Sequence, residues 1–266
     1  MMKNLLFISL ITFFVFAVSA DWDEGDGHKM HWPQEPKPQG LDVEFAMTML
    51  ADDWQCTWTG PVDDIHFWVS WKENLIQPIN QISVTIFSDI PADPQDPTTY
   101  SMPGQSLWDA DFDFALGQFE RRPMLPDEQG WFVAPTDPTQ PGTVIPWQAG
   151  DHEEWEQINI TKISDLMQPF NQEEGTIYWL GLEIFTEDLS GVLQPTPFVG
   201  WKETDRNWND DAVWMNIDPP DGYPDLYWTE LVNPELGTSI DLAFVITPEP
   251  ATIALLAIGG LFIRKR

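Results

Sequence analysis

The sequence predicts an all-β protein, a β-sandwich or jelly roll built as a single domain. Three observations predict it. The chain carries 24 prolines and 17 glycines while strong helix formers are scarce, which rules out long uninterrupted helices. Several stretches alternate apolar and polar residues at period two, the pattern of a half-buried strand. Turn-forming clusters such as "IPADPQDP" and "VAPTDPTQPG" separate these stretches, and no helical segments alternate with them.

Residues 1–20 read "MMKNLLFISLITFFVFAVSA". Lys3, the apolar run from Leu5 to Val18 and the small residues ending at Ala20 predict a secretory signal peptide cut after Ala20. A buried first helix would need a polar face, and this stretch has none. Residues 21–40 are rich in Asp, Gly and Pro and predict an irregular lead-in. Residues 41–247 then form the sandwich domain. "DIHFWVSWK" places Ile65, Phe67, Val69 and Trp71 on one face and His66, Trp68 and Ser70 on the other. "QISVTIFSD" sets Ile82, Val84 and Ile86 opposite Ser83, Thr85 and Phe87. "TIYWLGLEIFTE" aligns Tyr178, Leu180, Leu182 and Ile184, and "SIDLAFVIT" aligns Leu242, Phe244 and Ile246. Shorter strands are predicted in "VEFAMTML", "LWDADFDFAL", "WEQINI", "PFVGWK", "AVWMNI" and "LYWTEL". The best helical stretch is "ITKISDLMQPF", with Ile160, Ile163, Leu166 and Met167 on one face.

The formal net charge is −31. All 43 acids fall between Asp21 and Glu249, and only eight of the 12 Lys and Arg residues lie among them. Such a surface repels nucleic acid, whose binding needs cations to replace phosphate counterions. Acidity of this kind serves solubility or tolerance of salt, and a cation-binding role is the sharper alternative. Cys56 is the single cysteine, so no intramolecular disulfide exists.

The last residues, "TPEPATIALLAIGGLFIRKR", join Pro248, Glu249 and Pro250 to an apolar run and then Arg264, Lys265 and Arg266. The run from Ala251 to Ile263 is shorter than the ~20 residues that span a bilayer. The basic end would remain on the cytoplasmic side while the rest is exported. These three parts, in this order, resemble the PEP-CTERM sorting signal, also labelled an ice-binding protein C-terminal domain. The resemblance covers residues 248–266. It implies export through Sec, transient anchoring in the inner membrane, and processing near the Pro-Glu-Pro by an exosortase-type enzyme. It also implies a cell-surface or exopolysaccharide-matrix destination. The body resembles an uncharacterised secreted domain that recurs in bacterial PEP-CTERM proteins, through "LADDWQCTWTGPVDDIHFWVSWKENL", "FVGWKETDRNWNDDAVW" and "SIDLAFVIT". That likeness, over residues 28–247, implies no activity.

Motifs for catalysis are few. The chain lacks a Gly-x-Ser-x-Gly elbow, a His-Glu-x-x-His pair, a P-loop and a Rossmann glycine pattern. Cys56 with His66 would need spatial pairing to act as a nucleophile, and a buried packing role is the ordinary alternative. For a metal, "ADDW" (Asp52, Asp53) and "NDDAVW" (Asp210, Asp211) are the candidate Ca²⁺ loops, because adjacent carboxylates repel unless a cation relieves them. Turn chemistry is the competing use of the same residues. For glycans, 15 tryptophans invite an aromatic platform, with Trp68, Trp201 and Trp208 as its candidates. Burial in the core is the competing use. The expectation is an exported, non-enzymatic structural or adhesive protein, supported by Ca²⁺ and associated with matrix polysaccharide. A carbohydrate-binding module is the main alternative, and a glycan-active enzyme the third.

Overall fold

The computed structural model describes residues 21–45, 48–96, 98–135, 141–146, 152–187, 191–196, 198–209, 211–216 and 228–247. The expected signal peptide with Ala20, the candidate Asp210, and the tail carrying Pro248, Glu249, Pro250, Arg264, Lys265 and Arg266 lie outside the described residues.

The described residues form eighteen strands: β1 (Leu41–Glu44), β2 (Thr48–Gln55), β3 (Gly60–Pro61), β4 (Asp64–Trp71), β5 (Gln81–Ile90), β6 (Met102–Asp113), β7 (Glu120–Pro123), β8 (Gly130–Val133), β9 (Thr143–Ile145), β10 (Trp155–Ile160), β11 (Asn171–Gln172), β12 (Ile177–Glu187), β13 (Leu193–Pro195), β14 (Val199–Thr204), β15 (Val213–Asn216), β16 (Thr229–Glu230), β17 (Asp241–Leu242) and β18 (Phe244–Thr247). The larger sheet runs β7-β10-β4-β14-β1-β8-β9, with β17 beside β14 and β18 beside β4. The smaller sheet runs β16-β15-β2-β12-β5-β6, with β13 beside β12. Their described pairings are antiparallel except β1 with β8. Helix is confined, among the described residues, to Ile163–Leu166 and a short 3₁₀ turn at Lys72–Asn74. None is long and apolar enough to cross a membrane.

The two sheets pack face to face, as predicted. Ile65, Phe67, Val69 and Trp71 from the larger sheet share one core with Leu50, Trp54, Ile82, Val84, Ile86, Leu180, Leu182 and Ile184 from the smaller. Trp54 of β2 meets Phe244 of β18 edge-on across the gap, with ring centroids 6.1 Å apart. The predicted alternation in β4, β5 and β12 is what builds this layer.

Two expectations need correction. The strand predicted in "VEFAMTML" is two strands in different sheets, β1 and β2. Val43, Phe45 and Leu50 all face the same core. The inward positions are odd at Val43 and Phe45 and even at Leu50 and Trp54, so the period breaks where the chain changes sheet. The lead-in at 21–40 forms no strand beyond isolated bridges, and it lies as a strap across the fold. Met30 bridges Cys56, Gln34 bridges Phe244 and Pro36 bridges Thr204, so one segment touches both sheets. The helical stretch shrinks to one turn: Ile160 ends β10, and Leu166 is exposed.

The outer face of the larger sheet is covered as well. All eight residues of β4 are buried. Trp22 of the strap stands edge-on to Trp68, with centroids 5.9 Å apart. Gln157 of β10 donates from Nε2 to the Trp22 carbonyl at 2.6 Å. His66 hydrogen-bonds Asn159 Oδ1 through Nδ1 at 2.7 Å. Because a carboxamide oxygen only accepts, the proton sits on Nδ1.

Candidate functional site

Three segments distant in sequence meet: the strap around His31, the end of β2, and residues 205–209 that follow β14. His31 is fixed first by its own backbone. Its N–H donates to the Gln55 carbonyl at 2.9 Å, and the Gln55 N–H donates back to His31 Nδ1 at 3.2 Å. An Nδ1 that accepts puts the ring proton on Nε2, which is buried with no hydrogen-bond partner among the described residues. Burial, and then the neighbouring His28, push the His31 pKa down to about 4, so the ring is neutral at physiological pH.

A neutral imidazole can stack as an aromatic ring. Trp208 lies on it with centroids 4.1 Å apart and planes 26° from parallel. Trp32 meets its other side edge-on at 4.5 Å. Trp32 is 37% exposed and Trp208 partly exposed, so the cluster reaches the surface. At its margin Arg206 pairs with Glu35 at 3.1 Å.

Trp208 is held from below by carboxylates. Its backbone N–H donates to Asp241 Oδ2 at 3.1 Å, while Asp241 Oδ1 accepts from the Ala212 N–H at 3.3 Å and the Ser239 hydroxyl at 2.9 Å. Asn209 follows in a left-handed conformation (φ 59°), which Asn tolerates better than most residues. Its Nδ2 donates to Asp53 Oδ2 at 2.5 Å and to Ser101 Oγ at 3.2 Å. Asp52 accepts the Leu242 N–H at 2.6 Å and the Asp53 N–H at 2.7 Å. Burial is the main force on both buried acids. It pushes Asp241 up to about 7, with Asp211 adding repulsion, and it holds Asp52 well above the usual carboxylate range, with Asp241 and Asp53 adding theirs.

The structure therefore brings the two acidic motifs singled out from sequence, "ADDW" and "NDDAVW", into contact through Asn209 and Asp53. It does so in a way that does not suit Ca²⁺. Asp52 and Asp53 are successive residues of β2 and point to opposite faces, so they do not converge on one ion. Leu50 and Trp54, on the Asp52 side, pack in the inter-sheet core, while Met49 and Ala51, on the Asp53 side, pack in a separate cluster with Trp179 and Trp228. Both oxygens of Asp52 already accept backbone N–H groups. Asp211 lies beside Asp241 and raises its pKa. Among the described residues no group of three or more His, Cys, Asp or Glu side chains is placed to hold a metal ion.

Two of the three platform tryptophans are also corrected. Trp68 is sealed beneath Trp22, and Trp201 has no exposed surface. Trp201 faces inward among Phe45, Phe67 and Phe244 and donates its indole N–H to the Ala243 carbonyl at 2.8 Å. Only Trp208 reaches solvent. Cys56 is buried, donates its thiol to the Trp58 carbonyl at 3.2 Å, and has its pKa pushed up by burial; His66 is occupied elsewhere. Sequence reading missed His31, Trp32 and Asp241. Asp241 carried a usable signal, an acid inside a run of residues otherwise fit for a core. The "HW" doublet carried none, because its neighbours show no periodicity.

No curated protein matches the chain, and no solved structure does. Residues 30–247 match the family described as Domain of unknown function (DUF7901), and the protein, most of whose length that match covers, belongs to this family.

Proposed function

We propose that the protein is exported and acts at the cell surface or in the extracellular matrix as a structural or adhesive, non-catalytic protein that associates with polysaccharide. The observation that carries this reading is the His31–Trp208–Trp32 cluster, an aromatic surface set on rigid backbone contacts. Ring faces of this kind stack on the C–H faces of pyranose rings, and the flanking Arg206, Glu35 and Asn207 side chains suit sugar hydroxyls. A formal charge of −31 favours neutral or cationic polysaccharides over anionic ones and excludes nucleic acid as a partner. The signal-peptide pattern of residues 1–20 and the resemblance of residues 248–266 to a PEP-CTERM signal support export, transient inner-membrane anchoring and an exosortase-type processing enzyme. A second reading, a module specific for one glycan, differs in selectivity rather than in site.

The test is tryptophan fluorescence titration of the full chain with a panel of neutral, cationic and anionic polysaccharides. A saturable response to at least one neutral or cationic member is expected. Trp208→Ala and Trp32→Ala should each weaken binding about tenfold or more, the loss typical of a central aromatic contact. A response to one glycan alone would favour the module reading. Silence across the whole panel would sink both.

A further inference from the structure

A second buried polar cluster lies on the outer face of the larger sheet, away from the aromatic site. Lys202 of β14 and Asp42 of β1 are cross-strand partners, and Asp42 is opposite Trp131 of β8 on its other side. Gln129 immediately precedes β8 and sits two residues before Trp131, so its side chain shares their face. Lys202, Asp42 and Gln129 all have no exposed surface. The Lys202 Nζ donates to Gln129 Oε1 at 2.6 Å and lies 3.3 Å from Asp42 Oδ2 and 3.5 Å from Oδ1. The Trp155 ring is 5.3 Å from the same nitrogen. Gln129 is locked in place, since its Nε2 donates to the carbonyls of Asp127 at 3.1 Å and Glu153 at 3.0 Å.

His152 and Ser70 adjoin this group, but not as a hydrolytic relay. Ser70 Oγ and Asp42 Oδ2 both approach the same ring nitrogen of His152, Nε2, at 3.0 and 3.3 Å. A Ser-His-Asp relay needs the hydroxyl and the acid on opposite nitrogens. The reactive pair is instead the amine and the carboxamide.

We propose that Lys202 and Gln129 condense to an intramolecular isopeptide cross-link, with Asp42 carrying the proton. The Lys202 ammonium gives one proton to the Asp42 carboxylate, and the freed lone pair attacks Cδ of Gln129. The carbonyl π electrons move to Oε1. When they return, the Cδ–Nε2 bond breaks and the Nζ–Cδ bond remains. The departing nitrogen takes up the second Nζ proton and the one held by Asp42, and it leaves as ammonium. The sum is ammonium plus primary amide giving secondary amide plus free ammonium, with Asp42 regenerated and no oxidant or cofactor needed.

The surroundings favour each part of this step. Burial lowers the Lys202 pKa against the pull of Asp42, which makes the neutral amine easier to reach. The Asp127 and Glu153 carbonyls stabilise positive charge growing on the leaving nitrogen. Full burial keeps out the water that would compete as nucleophile. The product leaves the Asp42 carboxylate beside His152 Nε2, 3.3 Å away. It also ties together β14 and the start of β8, the two neighbours of β1, in a chain whose single cysteine cannot form an intramolecular disulfide. The cross-link stands independently of the glycan reading.

The experiment is intact-mass measurement of the folded full chain, with its termini assigned from terminal peptides, followed by proteolysis and tandem mass spectrometry. Expected is a mass one ammonia below that of the sequence and a branched peptide joining Lys202 to Gln129. Lys202→Met should restore the full mass, and Asp42→Asn should slow or abolish the loss while both reacting residues remain. If either variant fails to fold, the wild-type mass and branched peptide still decide. The full sequence mass in folded wild-type protein would overturn the proposal. So would an ammonia loss that persists in Lys202→Met or that maps to another residue.

Discussion

The two faces of β4 are equally buried and chemically unlike. Ile65, Phe67, Val69 and Trp71 point into an apolar layer closed by the opposite sheet. Asp64, His66, Trp68 and Ser70 point into a layer closed by the strap and by loops, where the polar atoms of Asp64, His66 and Ser70 meet partners one by one and the Trp68 indole N–H meets none among the described residues. His66 bonds Asn159, Ser70 bonds His152, and Asp64 accepts the Lys162 N–H at 2.7 Å. The inner layer is held by area and shape, which tolerate approximate matches. The outer layer is held by paired polar groups, each costly if its partner is lost. Loss of volume should hurt the first most, and loss of a single atom the second.

The largest effect should come from emptying the inner layer. Trp201→Ala removes a ring packed against three phenylalanines and should cost about 3–5 kcal/mol by denaturant unfolding. A loss below about 1 kcal/mol would mean that this layer is not close-packed.

The next effect tests a place where the inner layer is not apolar, the Asp52–Asp241 pair. Asp241 has an ordinary pKa of 3.8 and one of about 7 when folded, so between those values the folded state holds a proton that the unfolded chain has released. Its stabilisation is complete below the ordinary value and is lost as pH rises through about 7. Asp52 shifts in the same direction. Unfolding free energy should therefore fall from pH 4 to pH 7 through these groups, by at most about 1.4 kcal/mol per pH unit for each group, and melting temperature with it. Asp241→Asn should flatten that slope in a pH series of thermal melts. An unchanged slope would remove Asp241 as its source.

The smallest effect belongs to the outer layer. Asn159→Ala leaves the His66 Nδ1–H without its acceptor and removes little volume, so it should cost about 1–3 kcal/mol. Asn159→Asp restores an acceptor and should recover part of that loss. Equal losses in the two variants would show that packing rather than the hydrogen bond holds this face.

The legibility of the sequence follows the same division. Strands with regular alternation, β4, β5 and β12, could be read because one uniform core imposes period two on them. Strands such as β7, with the sequence Glu-Arg-Arg-Pro, could not, because an edge strand is paired through backbone groups and leaves no apolar signature. The period places Trp68 on the correct face and leaves open whether that face meets solvent or a cover. Nothing local indicates that Trp22, 46 residues earlier, folds over it.

The candidate site was half legible. "ADDW" and "NDDAVW" stood out because adjacent acids are electrostatically costly, and they do meet in space. Their meeting through Asn209 and Asp53, and the addition of Asp241, depend on contacts between residues more than 150 positions apart in one case and about 30 in the other.

The sequence alone determined the all-β class, the inward faces of the long strands and the strong negative charge, because each is a sum or a period of local properties. Only the tertiary structure decided which tryptophans face water, which carboxylates are buried, and that Lys202, Asp42 and Gln129 share one buried cluster. Those are facts about neighbours across strands, and strand pairing is fixed by long-range register that composition and periodicity do not encode.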